Sequence, residues 1–171
     1  MADFDLVVTG NVVLSDQIIE NGFVASRSGK IVEVGKGQGP AGRERQDFKG
    51  HWLIPGVVDG QVHSGSQANQ EGIGMCSRAA AAGGVTVMVE MPYDEPEPVT
   101  NATLFRQKVA IVEKDAHVDV ACYGTITVEN GLDAIPGMIE AGACGFKFST
   151  FEANPTRFPR ITDDTIYEAF R

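Results

Sequence analysis

Two side chains in this sequence have the chemistry to share a divalent ion, the imidazole of His63 and the primary amine of Lys147. His63 closes the run Ile54-Pro55-Gly56-Val57-Val58-Asp59-Gly60-Gln61-Val62-His63, in which a Pro-Gly turn precedes an apolar stretch that ends in polar residues spaced two apart. Successive strand side chains point to opposite faces, so Asp59, Gln61 and His63 share one face, and Val58 and Val62 the other. A lone histidine at a strand end is more often structural than a ligand; polar neighbours on the same face strengthen the ligand reading, but taken alone the structural one still leads. Lys147 stands between Phe146 and Phe148, and on a strand the two rings take the face opposite to it. An ammonium ion aimed into an interior is costly, so burial favours the neutral amine. A neutral amine can add carbon dioxide to give a carbamate, an anionic bidentate oxygen ligand able to bridge two divalent ions. The bland alternative leaves the lysine head in water. His117, at the start of a strand, and His51, in the turn before Trp52, read as structural. Asp94, Glu95 and Glu97 lie in a proline-stiffened loop, where they are solvated or where Asp94 faces a substrate.

The elements that must hold these groups fall into two parts. Residues 4–9 and 11–14 are β-branched runs split by Gly10, and residues 22–27 and 30–34 are two more, joined by a tight turn at Ser28-Gly29. Lys36 to Gly50 reads as a charged, glycine-rich loop around one short strand. Residues 1–52 therefore form a small all-β lobe, near the lower size limit for independent stability. From residue 53 to 171 strand and helix alternate. Strands are expected at 57–63, 85–91, 117–123 and 143–149. Helices are expected at 72–83, ended by Gly83-Gly84; at 101–114, with Leu104, Lys108 and Ile111 on a mainly apolar stripe; at 132–141, after Asn130-Gly131; and after the N-cap Thr162. Four βα units with apolar strands predict an α/β fold with a parallel sheet. Polar groups at strand C-termini favour the first half of a (β/α)8 TIM-type barrel over an open sheet. No glycine-rich loop opens a helix after a strand, which speaks against a dinucleotide site.

Composition narrows the partners. The 171 residues carry 23 acidic against 14 basic side chains, a net charge of −9, with 43% apolar residues. An acidic surface repels phosphate backbones and anionic lipid, so nucleic acid and membrane are poor partners. The acidic start Met1-Ala2-Asp3-Phe4-Asp5 lacks signal-peptide character, and no apolar run reaches the ~20 residues of a membrane span. Cys76, Cys122 and Cys144 are odd in number and far apart, which points to reduced, packed thiols and a cytoplasmic location.

The run 54–63 resembles the "PG-hydrophobic-D-x-H-x-H" opening of the metal-dependent cyclic amidohydrolases, that is, the allantoinases, the hydantoinases or dihydropyrimidinases, and the dihydroorotases. Glu71-Gly72, followed by Ala79-Ala80-Ala81-Ala82-Gly83-Gly84-Val85-Thr86 and Glu90-Met91-Pro92, is similar to the allantoinase and hydantoinase version. Gly145-Phe146-Lys147-Phe148 is similar to the segment whose lysine is carbamylated. The resemblance implies a (β/α)8 barrel with a small β-sandwich and a binuclear centre, usually zinc. It makes His63 the second ligand of the first strand, Lys147 the carbamylated bridge between metals and Asp59 a support behind the ligands. Asp94 falls near the substrate-facing position of the second loop. A metal-bound hydroxide would then attack the ring amide carbonyl.

Two departures stand out. Gln61 occupies the first histidine position, and an amide oxygen is a weaker donor for zinc than imidazole, so that ligand is weakened or lost. The family's two further histidines and its aspartate base come from later strands that the chain does not contain. Ser64-Gly65, in place of Leu-Arg, argues against a dihydroorotase. The expectation is a hydrolase that opens a hydantoin-, allantoin- or dihydropyrimidine-like ring, this chain carrying part of the site. One or two divalent ions and a carbon dioxide adduct are its expected cofactors. The alternative is a non-catalytic relative with a degenerate metal site, acting as an oligomeric scaffold. A half-barrel leaves two sheet edges unpaired, so a homo-oligomer or the missing remainder is expected to cover them.

Overall fold

Alternating apolar residues carry Phe4–Val13 as one continuous strand, β1, in a computed structural model that describes residues 3–129, 131–152 and 154–171. Met1, Ala2 and Asn130, which entered the readings of the N-terminus and of the turn before the third helix, lie outside the described residues. Gly10 does not split β1. It sits at a register shift, a bulge between Gly10 and Val12, where an added Cβ would lie 2.8 Å from Leu53 Cγ. β2 (Ile18–Arg27) and β3 (Lys30–Lys36) form the expected hairpin, with both turn residues, Ser28 and Gly29, at positive φ (52° and 73°).

The stretch read as a loop around one short strand is instead a 12-residue strand, β4 (Gly42–Leu53), parallel to β1. His51 lies in this strand rather than in a turn. Its side chains from Arg43 to Trp52 are exposed, so no apolar alternation marks it. Backbone pairing with β1, together with the Thr9 Oγ1 hydrogen bond to Asp47 Oδ1 at 2.8 Å, holds it in place. The four strands make one β-sandwich-like sheet in the order β3-β2-β1-β4, packed around Val7, Phe23 and Ala25. This sheet belongs to a unit spanning Met1–Pro55, and a second unit spans Gly56–Arg171.

The second unit is a parallel sheet interleaved with helices. Its elements are β5 (Val57–Val62), α1 (Gly72–Ala82), β6 (Val85–Glu90), α2 (Ala102–Asp115), β7 (Asp119–Gly124), a 3-10 turn (Gly131–Asp133), α3 (Ala134–Glu140), β8 (Gly145–Phe146) and α4 (Asp163–Ala169). The strands lie in chain order, β5-β6-β7-β8. Gly56 enters β5 against β6, and a Cβ there would fall 2.2 Å from Thr86 Oγ1, which fixes glycine at that position. α1 ends as expected, with Gly84 left-handed at φ 83°. Asn101 caps α2, its Oδ1 accepting from Thr103 N and Leu104 N at 3.0 Å each. Thr162 caps α4 through Thr165 N.

Three expectations need correction here. The buried residues of α2 are Phe105 and Lys108, while Ile111 is half exposed, so the stripe turns a lysine rather than an isoleucine inward. β5 is an edge strand pairing with β6, and Val57 and Val58 are exposed rather than buried. β8 is two residues long rather than seven, because the chain leaves the ladder after Phe146. The core of the unit gathers Val99, Phe105, Cys122, Ile126, Met138 and Ile161, with Phe146 and Phe148 packed against it. Cys122 is buried, but Cys144 is exposed, its thiol donating to Cys122 O at 3.2 Å. Among the described residues no helix is long and apolar enough to cross a membrane.

Candidate active site

β5 ends at Val62, whose carbonyl accepts from Met91 N at 2.9 Å, and the chain then releases His63 beyond the sheet. Lys147 follows directly on β8. Its N–H donates to Gly124 O at 3.0 Å and its carbonyl accepts from Thr125 Oγ1 at 2.7 Å, so its backbone is fixed although the strand has ended. The sheet thereby brings together two residues 84 positions apart: His63 Nε2 lies 3.3 Å from Lys147 Nζ. The other ring nitrogen, Nδ1, lies 2.6 Å from Ser66 Oγ. Phe146 and Phe148 stack on the core side with centroids 6.4 Å apart, which leaves the lysine between them aimed the other way.

Both groups are electrostatically displaced. Burial holds the His63 imidazole below its usual range, helped by the Lys147 and Lys108 cations and opposed by Asp94. Burial likewise lowers Lys147. Each shift favours the neutral form, which for an amine is the nucleophilic form and for an imidazole the ligating form.

The remaining candidates fare differently. Asp59 and Gln61 are exposed, and Asp59 Oδ1 accepts from Gln61 N at 3.1 Å rather than reaching His63. A register shift between Asp59 and Val62 breaks the strict alternation on which their shared face was argued. Asp94 is held by Lys108, with Nζ at 2.8 Å from Oδ1.

Around this pair lies a charged network that motif reading missed. Glu90, the last residue of β6, is fully buried, and its Oε1 accepts from Ser64 N at 3.0 Å and Ser64 Oγ at 2.9 Å. Lys108, 5% exposed, places Nζ 3.6 Å from Glu90 Oε1 and 2.7 Å from Met91 O. Burial pushes the Glu90 carboxyl up, opposed by Lys108 and Ser64. Arg157 reaches in from the segment after β8. Its Nη2 lies 3.0 Å from Ser66 O, 3.2 Å from Tyr93 O and 3.1 Å from Asp94 O. Its Nη1 pairs with Glu95, and its guanidinium sits 4.3 Å from the centre of the Tyr93 ring. The available signals were a lysine inside an apolar helical stripe and a glutamate ending a buried strand; Arg157 carried none.

The donor set suits a divalent ion only in part. An imidazole nitrogen and an amine, both shifted by burial toward the neutral form, face each other at 3.3 Å, but among the described residues no group of three or more His, Cys, Asp or Glu side chains could hold a metal. His63 and Lys147 can supply two positions of a centre, not a closed set.

Residues 50–156 match the family model described as dihydro-orotase-like. The chain is 32% identical over 170 residues to the allantoinase of Streptomyces avermitilis, covering 97% of this chain and 38% of that protein. It is 30% identical over 166 residues to the mitochondrial allantoinase of Aquarana catesbeiana, covering 95% of this chain and 33% of that one. Among solved structures it superposes on the L-hydantoinase (dihydropyrimidinase) from Arthrobacter aurescens with a TM-score of 0.85 and 31% identity, over 98% of this chain and 38% of that one. The chain thus spans well under half the length of the relatives it matches.

Proposed function

Since this chain belongs to the dihydro-orotase-like family, we propose that it carries part of the site of a cyclic amidohydrolase that hydrolyses a ring C–N amide bond in a hydantoin-, allantoin- or dihydropyrimidine-like substrate. The observation that carries this reading is the 3.3 Å approach of His63 Nε2 to Lys147 Nζ. The second unit reads as the first four βα units of a (β/α)8 barrel, supported by four parallel strands paired in chain order.

His63, and Lys147 as its carbamate, would hold a divalent ion, zinc by preference, which when bound acidifies a water and polarises the ring carbonyl. Burial keeps Lys147 toward the neutral amine, whose nitrogen adds to the carbon of carbon dioxide as one proton leaves to solvent. His63 remains a neutral nitrogen donor below the pH at which free histidine protonates. Gln61 contributes at most a weak amide donor. Asp94, ion-paired with Lys108, would present polar atoms to the ring on the side of the second loop. The scaffold alternative draws on Gln61 and requires a protein with neither metal nor turnover.

The test uses the full-length protein. Elemental analysis should find divalent metal, and 13C NMR in labelled bicarbonate should show a carbamate carbon that Lys147→Ala abolishes. Ring opening should be seen with at least one of hydantoin, allantoin and dihydrouracil. Absence of metal together with absence of the carbamate signal overturns the proposal.

A further inference from the structure

Ser64–Ser66, the three residues that follow His63, are gripped at both ends by charged groups from distant parts of the chain. At the start, Glu90 accepts from both the backbone N–H and the hydroxyl of Ser64. At the end, the Arg157 guanidinium lies 3.0 Å from Ser66 O, and the hydroxyl of the same serine lies 2.6 Å from His63 Nδ1. Each grip has its own counter-charge, Lys108 for Glu90 and Glu95 for Arg157. Stability alone does not account for the buried Glu90–Lys108 pair. A buried ion pair is often no more stable than apolar side chains of the same volume, so charge retained behind a site calls for another reason. Here both grips converge on the segment whose last residue touches the imidazole.

We propose that Glu90 and Arg157 are positioning residues that clamp the Ser64–Ser66 segment from its two ends and thereby fix which ring nitrogen of His63 faces Lys147. His63 Nδ1–H donates to Ser66 Oγ, and the lone pair of Nε2 is turned toward Lys147. Rotating the ring requires the serine to move, and the serine is tied through its carbonyl to Arg157 and through Ser64 to Glu90. The inference rests on the reading of His63 and Lys147 as a ligand pair. It goes beyond that reading by assigning the tautomer and the groups that hold it.

The test uses full-length, metal-free protein with 15N-labelled histidine. In the wild type His63 should show a protonated-type Nδ1 shift and an unprotonated-type Nε2 shift. In Glu90→Ala and Arg157→Ala the two shifts should move toward the averaged values of free histidine. Zinc affinity, measured by competition with a chromophoric chelator, should fall about 10–100-fold, as is usual when a group orienting a ligand is lost. Arg157→Lys keeps the charge but not the reach to three carbonyls, and should behave like the alanine variant. If Glu90→Ala fails to fold, Glu90→Leu combined with Lys108→Met removes both buried charges together, along with the acceptor for Ser64, and should give a folded protein with the same displaced shifts. Unchanged His63 shifts in folded variants, or a wild-type ring protonated at Nε2, overturn the clamp. A wild type that binds no zinc and opens no ring overturns the functional reading instead, while the nitrogen shifts still decide the clamp.

Discussion

Replacing Lys108 with methionine tests whether the buried network is held by charge. The substitution keeps most of the volume of the side chain and removes the ammonium group. It deletes hydrogen bonds to Met91 O at 2.7 Å and Asp94 Oδ1 at 2.8 Å, and the cation 3.6 Å from a fully buried Glu90. Breaking a buried pair from one side costs about 3–5 kcal/mol, because the remaining charge is left uncompensated. Glu90 can escape by binding a proton, so the deficit must depend on pH. Its native carboxyl already titrates above 4.5, and loss of Lys108 raises it further. Between 4.5 and that raised value the native state holds more protons than the unfolded state. Stability of the variant therefore increases as pH falls through this window, by up to about 1.4 kcal/mol per unit, and levels off below 4.5. Urea unfolding followed by far-ultraviolet circular dichroism suits the measurement, because the helices among the described residues lie in the second unit. The expected result is a loss of about 3–5 kcal/mol at pH 7 that shrinks toward pH 5. In a Glu90→Gln background the loss should be smaller by about 0.5–3 kcal/mol. A deficit below about 1 kcal/mol, or one that does not change with pH, would refute the electrostatic account.

Other perturbations address separate parts of the chain. Asn101→Ala removes the acceptor for two N–H groups at the start of α2 and should cost about 1 kcal/mol, with Asn101→Asp close to wild type, as read by the same unfolding curves. His63 should titrate with an NMR midpoint below 6.5. The unfolded state then takes up a proton that the native state refuses, so the His63 contribution makes stability fall as pH drops through 6.5, and a midpoint at or above 6.5 contradicts the burial argument. Cys122, buried with its thiol pushed up to about 11, should resist a disulfide reagent at pH 8 while exposed Cys144 reacts, as mass spectrometry of labelled peptides would show.

Reading the chain from its residues succeeded where a local signal exists. The Ser28-Gly29 turn, the Thr162 cap, the Gly83-Gly84 stop and the alternation of strand with helix from residue 57 all depend on interactions within a few residues. It failed for β4, whose Arg43–Trp52 side chains face solvent, so that pairing with β1, rather than any pattern of its own, makes it a strand. It failed also for Asp59, because a bulge that depends on pairing with β6 moves the residue out of the alternation.

By itself the sequence determined that an imidazole at 63 and an amine at 147 end strands of a parallel sheet, since period, turn chemistry and motif order are properties of short stretches. Only the tertiary structure decided that these two nitrogens meet, that Lys108 turns inward to Glu90 and Asp94, and that Arg157 reaches back to Ser66. Those contacts join residues 14 to 91 positions apart. Whether a charge is buried beside its partner or left in water depends on how the packed elements bring the chain back on itself, and no local pattern encodes that.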